Sequence, residues 1–64
     1  LKSIQIALNE LPADFKTMII LRDIQELSYE DISRIVGVPI GTVKSRINRG
    51  RLKLQNLLKK IGGR

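Results

Sequence analysis

Apolar residues recur along this chain at helical spacing in four stretches separated by helix-stopping residues. Ile4, Ala7, Leu8 and Leu11 share one face, which predicts a helix from about residue 1 to residue 10, closed by Pro12. A second helix opens at Asp14, whose carboxylate suits a first turn, and runs to about Gln25 with an apolar stripe of Phe15, Met18, Ile19, Leu21 and Ile24. Leu27 is expected to pack in the connection that follows. Ser28-Tyr29-Glu30-Asp31 has the form of an N-cap with an acid three residues on, a capping-box variant in which Asp replaces Glu or Gln. It predicts a third helix, with Ile32, Ile35 and Val36 turned inward and Gly37 supplying a left-handed terminus. Pro39 then suits the first turn of a fourth helix, beginning at about Pro39 or Ile40 and reaching about Lys60, with Gly62-Gly63-Arg64 as a frayed tail. Residues 1–64 therefore read as a single all-α domain of four helices.

The third and fourth segments, about 29–36 and 40–60, form a helix-turn-helix pattern: a short helix, a turn containing Gly, and a long basic helix of the kind that enters a major groove. Small Ser33 falls where the two helices approach, and Gly37 makes the turn four residues later. In the fourth helix, a period of 3.6 places Val43, Ile47, Gly50, Leu54, Leu57 and Ile61 on one stripe, the core face. The opposite face presents Gly41, Ser45, Asn48, Arg49 and Leu52, flanked by Lys44 and Arg51 on one side and by Arg46 and Lys53 on the other. Arg and Asn match the edges of guanine and adenine, Ser serves several bases, and the flanking cations suit phosphates. Gly41 would let the backbone of the first turn approach DNA with no side chain in the way, and it is equally tolerated in a first turn that touches nothing.

Charge sharpens this picture. Residues 1–31 carry Lys2, Lys16 and Arg22 against Glu10, Asp14, Asp23, Glu26, Glu30 and Asp31, a net −3, whereas residues 32–64 hold nine Lys and Arg and no acid, a net +9. A one-sided basic surface is the footprint of a partner rich in phosphate, either nucleic acid or an anionic membrane. Composition removes other classes. Sixty-four residues, 42% of them hydrophobic, are enough for one small globular domain and too few for a deep catalytic cleft. With no Cys and no His the chain lacks thiolate and imidazole metal ligands and the commonest general base, so no catalytic residue, metal or cofactor is expected. Its longest apolar run, Met18-Ile19-Ile20-Leu21, is far too short to cross a bilayer and nothing looks like a signal peptide, so the expected compartment is the cytoplasm. The start at Leu1, without an initiator Met, is read as a piece of a longer chain.

Gly41-Thr42-Val43-Lys44-Ser45-Arg46-Ile47, followed by Arg49-Gly50-Arg51 and Leu54, resembles the GTVKSR-L-x-RAR-x-x-L signature of region 4 in bacterial extracytoplasmic-function sigma factors. Leu11-Pro12, Leu21-Arg22 and Leu27-Ser28-Tyr29-Glu30-Asp31-Ile32 match the "LP…LR…LSYEEIA" pattern of that family in order and spacing, and the resemblance covers about residues 8 to 58. It implies a helix-turn-helix fold of the winged-helix-like superfamily without a wing, in a chain whose region 2 lies outside these residues. It implies, further, binding to the promoter −35 element, docking on the β-subunit flap of RNA polymerase, and control by an anti-sigma factor. With no second motif or heptad seam in the sequence, the domain reads as monomeric.

By the same resemblance Lys44, Ser45, Asn48 and Arg49 contact −35 DNA, and Arg22, Tyr29 and Glu30 touch the DNA backbone or support the recognition helix. Gly41, Thr42, Arg46, Arg51 and Lys53 complete the set of candidate DNA-binding residues. Read from the residues alone, Tyr29 is also an ordinary half-buried aromatic at a helix start, and Arg22 could form a surface ion pair with Asp23 or Glu26. The chain departs from the family pattern at Ser33 (usually Ala), Glu26 (commonly Gly), Gly50 (Ala in RAR) and Asn48, a position that is often aromatic or His and bears on which −35 sequence is read. Two other readings compete. LuxR-type regulator domains share the "LS…EIA…G…TVK" outline but usually place a His soon after TVK and an aliphatic residue where this chain has arginines. A basic helical module that binds an acidic partner or a membrane surface is the other; the last helix lacks the bulky aromatic, strongly apolar face of a membrane binder and holds Ser and Asn at the centre of its polar face.

Overall fold

Pro12, with φ −53 and ψ 146, sits in extended backbone and acts as the N-cap of the second helix, which therefore starts at Ala13 and not at Asp14. In the computed structural model, which describes residues 2–62, α1 spans Lys2–Glu10, α2 spans Ala13–Ile19 and runs on into a π-helical turn Ile20–Ile24, α3 spans Tyr29–Val36, and α4 spans Ile40–Ile61. Gly63 and Arg64 of the expected tail lie outside the described residues, as does Leu1. Among the described residues there are four helices and no strand, so the fold is the all-α helix-turn-helix domain without a wing.

Each boundary has a local cause. The Ser28 side chain accepts a hydrogen bond from the Asp31 N–H at 3.0 Å, the N-cap half of a capping box; the Asp31 carboxylate pairs with Arg34 one turn on instead of reaching back. Gly37 ends α3 at φ 80 and ψ 35, and its N–H donates to the Ser33 carbonyl at 2.8 Å. Pro39 then caps α4 in extended backbone, its carbonyl accepting from the Val43 N–H at 3.0 Å.

The spine is α4. Its Val43 and Ile47 close over Met18 of α2 and Ile32 of α3, and all four side chains are fully buried, with Leu21, Leu27, Tyr29, Val36 and Val38 packed around them. Burying such a side chain stabilises by about 1.5–3 kcal/mol relative to leaving it in water. A second cluster joins α1 to the far half of α4, with Leu8, Leu11 and Ile19 against Leu54 and Leu57. Between the clusters α4 crosses α2 closely at Gly50, where a Cβ would stand 3.3 Å from the Phe15 Cβ and 3.4 Å from the Ile19 Cγ1.

Three predicted core positions are not core. Ile4 is 43% exposed, because the stripe of α1 extends one turn beyond buried Ala7 and the cluster that holds Leu8 and Leu11. Ile35 is 62% exposed, because α3 packs through Ile32 and Val36, one turn apart, and position 35 falls over the edge of that contact. Ile24 is 59% exposed for a different reason. The Gln25 N–H donates to the Ile20 carbonyl five residues back at 2.9 Å, so the helix widens and the 3.6-residue period that assigned Ile24 to the core stops at Ile20. Leu21 stays against the core and Arg22 is half-buried.

Candidate nucleic-acid interface

The turn between α3 and α4 is braced at several points. Ser33 makes three hydrogen bonds there, its carbonyl accepting from Gly37 and, at 3.3 Å, from Val38, while its hydroxyl donates to the Val38 carbonyl. The hydroxyl thus closes the turn across five residues, which an alanine could not do. With Gly37 left-handed and Val43 buried beneath, the first two turns of α4 are fixed in rotation, and the residues opposite Val43 and Ile47 face outward.

On that outward face Gly41, Lys44, Asn48, Arg49 and Lys53 are exposed, and Thr42, Ser45 and Arg46 are half-buried. Ser45 donates its hydroxyl to the Thr42 carbonyl at 3.1 Å, which leaves its lone pairs as the outward group. A Cβ built on Gly41 meets nothing within 4 Å, so no contact inside the chain calls for a glycine there. Leu52, also on this face, is 60% exposed.

Arg22, Tyr29 and Lys44 come together from the π turn, the start of α3 and the first half of α4. The Arg22 Nη1 donates to the Leu27 carbonyl at 2.8 Å, and its guanidinium lies over the Tyr29 ring at 4.9 Å from the centroid. The Lys44 ammonium lies 5.9 Å from the same centroid. The surface ion pair of Arg22 with Asp23 or Glu26 that the sequence allowed does not form; the guanidinium ties down a backbone carbonyl instead. Glu30 is exposed beside Tyr29.

Arg51 is the candidate that stands apart. Its Nε donates to Asp23 Oδ2 at 3.0 Å and its Nη2 to Asp23 Oδ1, a two-point pair between α4 and the π turn. The hydrogen bond from Arg51, helped by the charges of Arg51 and Arg22 and opposed by partial burial, holds the Asp23 carboxyl below its ordinary pKa; the same hydrogen bond raises Arg51. Arg51 therefore faces a carboxylate before any phosphate. Sequence reasoning missed this pair because its members lie 28 positions apart and Asp23 has a cation, Arg22, beside it in the chain. A helical projection that put Arg51 on the flank next to the π turn could have found it.

No helix among the described residues is long and apolar enough to cross a membrane, and these residues hold no cluster of His, Cys, Asp or Glu able to bind a metal.

Residues 1–54 match the family described as Sigma-70, region 4. Over 57 residues, 89% of this chain and 22% of the relative, the sequence is 49% identical to the ECF RNA polymerase sigma factor SigE of Mycolicibacterium smegmatis. It is 46% identical to the ECF RNA polymerase sigma-E factor of Haemophilus influenzae over 84% of this chain and 29% of that protein. The ECF RNA polymerase sigma factor SigW of Bacillus subtilis is 42% identical over 92% of this chain and 32% of its own length. The chain thus spans between about a fifth and a third of the length of these relatives.

Proposed function

Because the chain belongs to the sigma-70 region 4 family, we propose that it works within a sigma factor that directs transcription initiation by bacterial RNA polymerase, and that α4 reads the promoter −35 element. The observation that supports this most is the outward face of α4, where Lys44, Asn48 and Arg49 are exposed opposite the buried Val43 and Ile47, in a half of the chain that carries no acid. Asn and Arg at such positions suit base edges, and the flanking Arg46 and Lys53 suit phosphates. Residues 1–64 act as one monomeric domain of the cytoplasm with no enzymatic activity and no cofactor.

Its protein partners in this reading are the β-subunit flap of RNA polymerase and an anti-sigma factor. Ile6, 44% exposed, Ile24, 59% exposed, and half-buried Ile20 are the apolar side chains proposed to meet them. One recognition helix with a few base-reading residues and no heptad seam for dimerisation suits a module tethered to polymerase, which meets its site at high effective concentration.

The test is selection of duplexes from a random pool by the chain with core RNA polymerase, beside gel shifts of the chain alone and binding to anionic vesicles. Enrichment of a −35-like sequence with polymerase, weak binding of the selected duplex alone, and no uptake by vesicles are expected. A stable dimer that binds the duplex with nanomolar affinity unaided would replace this reading with a free-standing regulator. Vesicle binding without sequence selection would replace it with a surface-binding module.

A further inference from the structure

Lysine reads bases more selectively when something fixes it, because its ammonium is a point charge at the end of four flexible carbons. Lys44 is exposed, and no acid among the described residues forms an ion pair with it. What lies beside it is the face of Tyr29, at 5.9 Å from the ring centroid. That ring is itself held: Tyr29 is half-buried against the core of Met18, Ile32, Val43 and Ile47, and the Arg22 guanidinium covers it at 4.9 Å. Arg22 in turn is anchored on the Leu27 carbonyl, and the Leu27 N–H donates to the Leu21 carbonyl at 3.0 Å. A line of fixed groups thus runs from the π turn through the aromatic ring to a cation on the recognition helix.

We propose that Tyr29 is a specificity-determining positioning residue that acts through Lys44: its ring holds the ammonium where α4 meets DNA, by a contact that uses the face of the ring and not the hydroxyl. A cation–π contact is electrostatic and engages at most part of the ammonium, which has three N–H donors, so Lys44 keeps donors for a base edge or a phosphate. The proposal rests on the reading of α4 as a DNA-reading helix. It differs from a packing role for Tyr29, which would leave Lys44 unaffected, and from a contact of the Tyr29 hydroxyl with DNA.

Tyr29→Phe, Tyr29→Leu, Lys44→Ala and the double variant Tyr29→Leu/Lys44→Ala are compared for binding to the duplex selected with core RNA polymerase and to the same duplex altered at each base pair, with thermal melts confirming that each variant is folded. Tyr29→Phe, which keeps the ring face, retains discrimination at the Lys44-dependent positions that Tyr29→Leu loses. Tyr29→Leu loses about two- to fivefold discrimination, the size of an exposed cation–π contact, at the positions that Lys44→Ala also relaxes, and the double variant loses no more than Lys44→Ala. Independent, multiplying losses overturn the proposal, as does a Tyr29→Phe variant that behaves like Tyr29→Leu. A second measurement needs no folded Leu variant: in the free chain the ε-methylene protons of Lys44 resonate upfield of those of Lys59 and Lys60 through the ring current of Tyr29, and their coincidence with those lysines overturns the contact itself. If the parent chain with polymerase selects no sequence, the DNA-reading function fails as well; if it selects one and Lys44→Ala changes nothing, only the present inference falls.

Discussion

Arg51 of α4 grips Asp23 of the π turn through two nitrogens, a contact that ties α4 to the segment before the helix-turn-helix. The side chains are 45% and 36% exposed, so solvent screens the pair and its stabilisation is small, about 0.2–1 kcal/mol. Because the folded Asp23 has a depressed pKa, its contribution is present above the unfolded value of about 3.9 and is lost as pH falls through the folded value. A double-mutant cycle of Asp23→Asn and Arg51→Gln in urea melts should therefore show coupling at neutral pH that declines as the pH falls below about 4 and vanishes below the folded value. Coupling that persists in acid would mean that the carboxylate charge is not what Arg51 recognises.

Glu26 is the one described residue other than glycine with positive φ, at 59°. A side chain in this left-handed region carries a steric cost of about 1–2 kcal/mol, which glycine does not. Glycine also loses more entropy on folding, so Glu26→Gly should stabilise by about 1 kcal/mol net, whereas Glu26→Ala should not. Equilibrium urea unfolding of the two variants checks this; equal effects would place the strain elsewhere.

The sequence reading succeeded where a residue type has one local meaning and missed where the meaning is set at long range. Ser28 marks its helix end by a hydroxyl that caps the Asp31 N–H, Gly37 by a left-handed conformation and Pro39 by its place just before the first turn, and all three do so here. Val43, Ile47 and Gly50 follow a period that a long straight helix keeps, and all three are buried. Ile24 was misplaced because the period changes inside the π turn, with no proline or glycine in Ile20–Ile24 to announce it. The unusual Glu26 was visible as a glycine position occupied by an acid, and its φ supplies the reason that glycine suits the site. Of the candidate interface, the outward face of α4 was legible from periodicity. The pairing of Arg51 with Asp23 and the Arg22–Tyr29–Lys44 stack were not, since they join elements whose mutual packing a linear pattern does not encode.

Val43 is fully buried between Met18, Ile32 and Ile47. Val43→Asp would place a carboxylate there without a hydrogen-bonding partner, and a domain of this size has several kcal/mol of stability in all. The variant should be unfolded by circular dichroism at neutral pH. A cooperative melt close to that of the parent would show that α4 is rotated from the arrangement described.

Arg49 and Lys53, one turn apart and both exposed on α4, should differ in what they contribute to DNA binding. Arg49→Ala is expected to weaken the preferred duplex by about 1–3 kcal/mol and to relax selectivity at one or two base pairs. Lys53→Ala should weaken all duplexes alike and lower the slope of log affinity against log salt by about one unit. Titrations of matched and altered duplexes at several salt concentrations separate the two, and equal losses on every sequence for Arg49→Ala would remove it from the base-reading set.

Gly41 allows stability and recognition to be separated at one atom. The space where its Cβ would stand is empty to 4 Å, and its φ lies in no region closed to other residues, so Gly41→Ala meets no clash within the chain. Alanine in a helix is favoured over glycine by up to about 1 kcal/mol, less in a first turn than in the interior, and the melting temperature should rise. If the backbone of this turn lies against DNA, the added methyl stands between them and affinity for the selected duplex should fall even as the free chain becomes more stable. Opposite movements of the two readouts are hard to produce by any change confined to the fold. Affinity that rises or stays level with stability would mean that the turn stands clear of DNA and that the glycine is merely tolerated, which would move the contact surface toward Asn48 and Arg49.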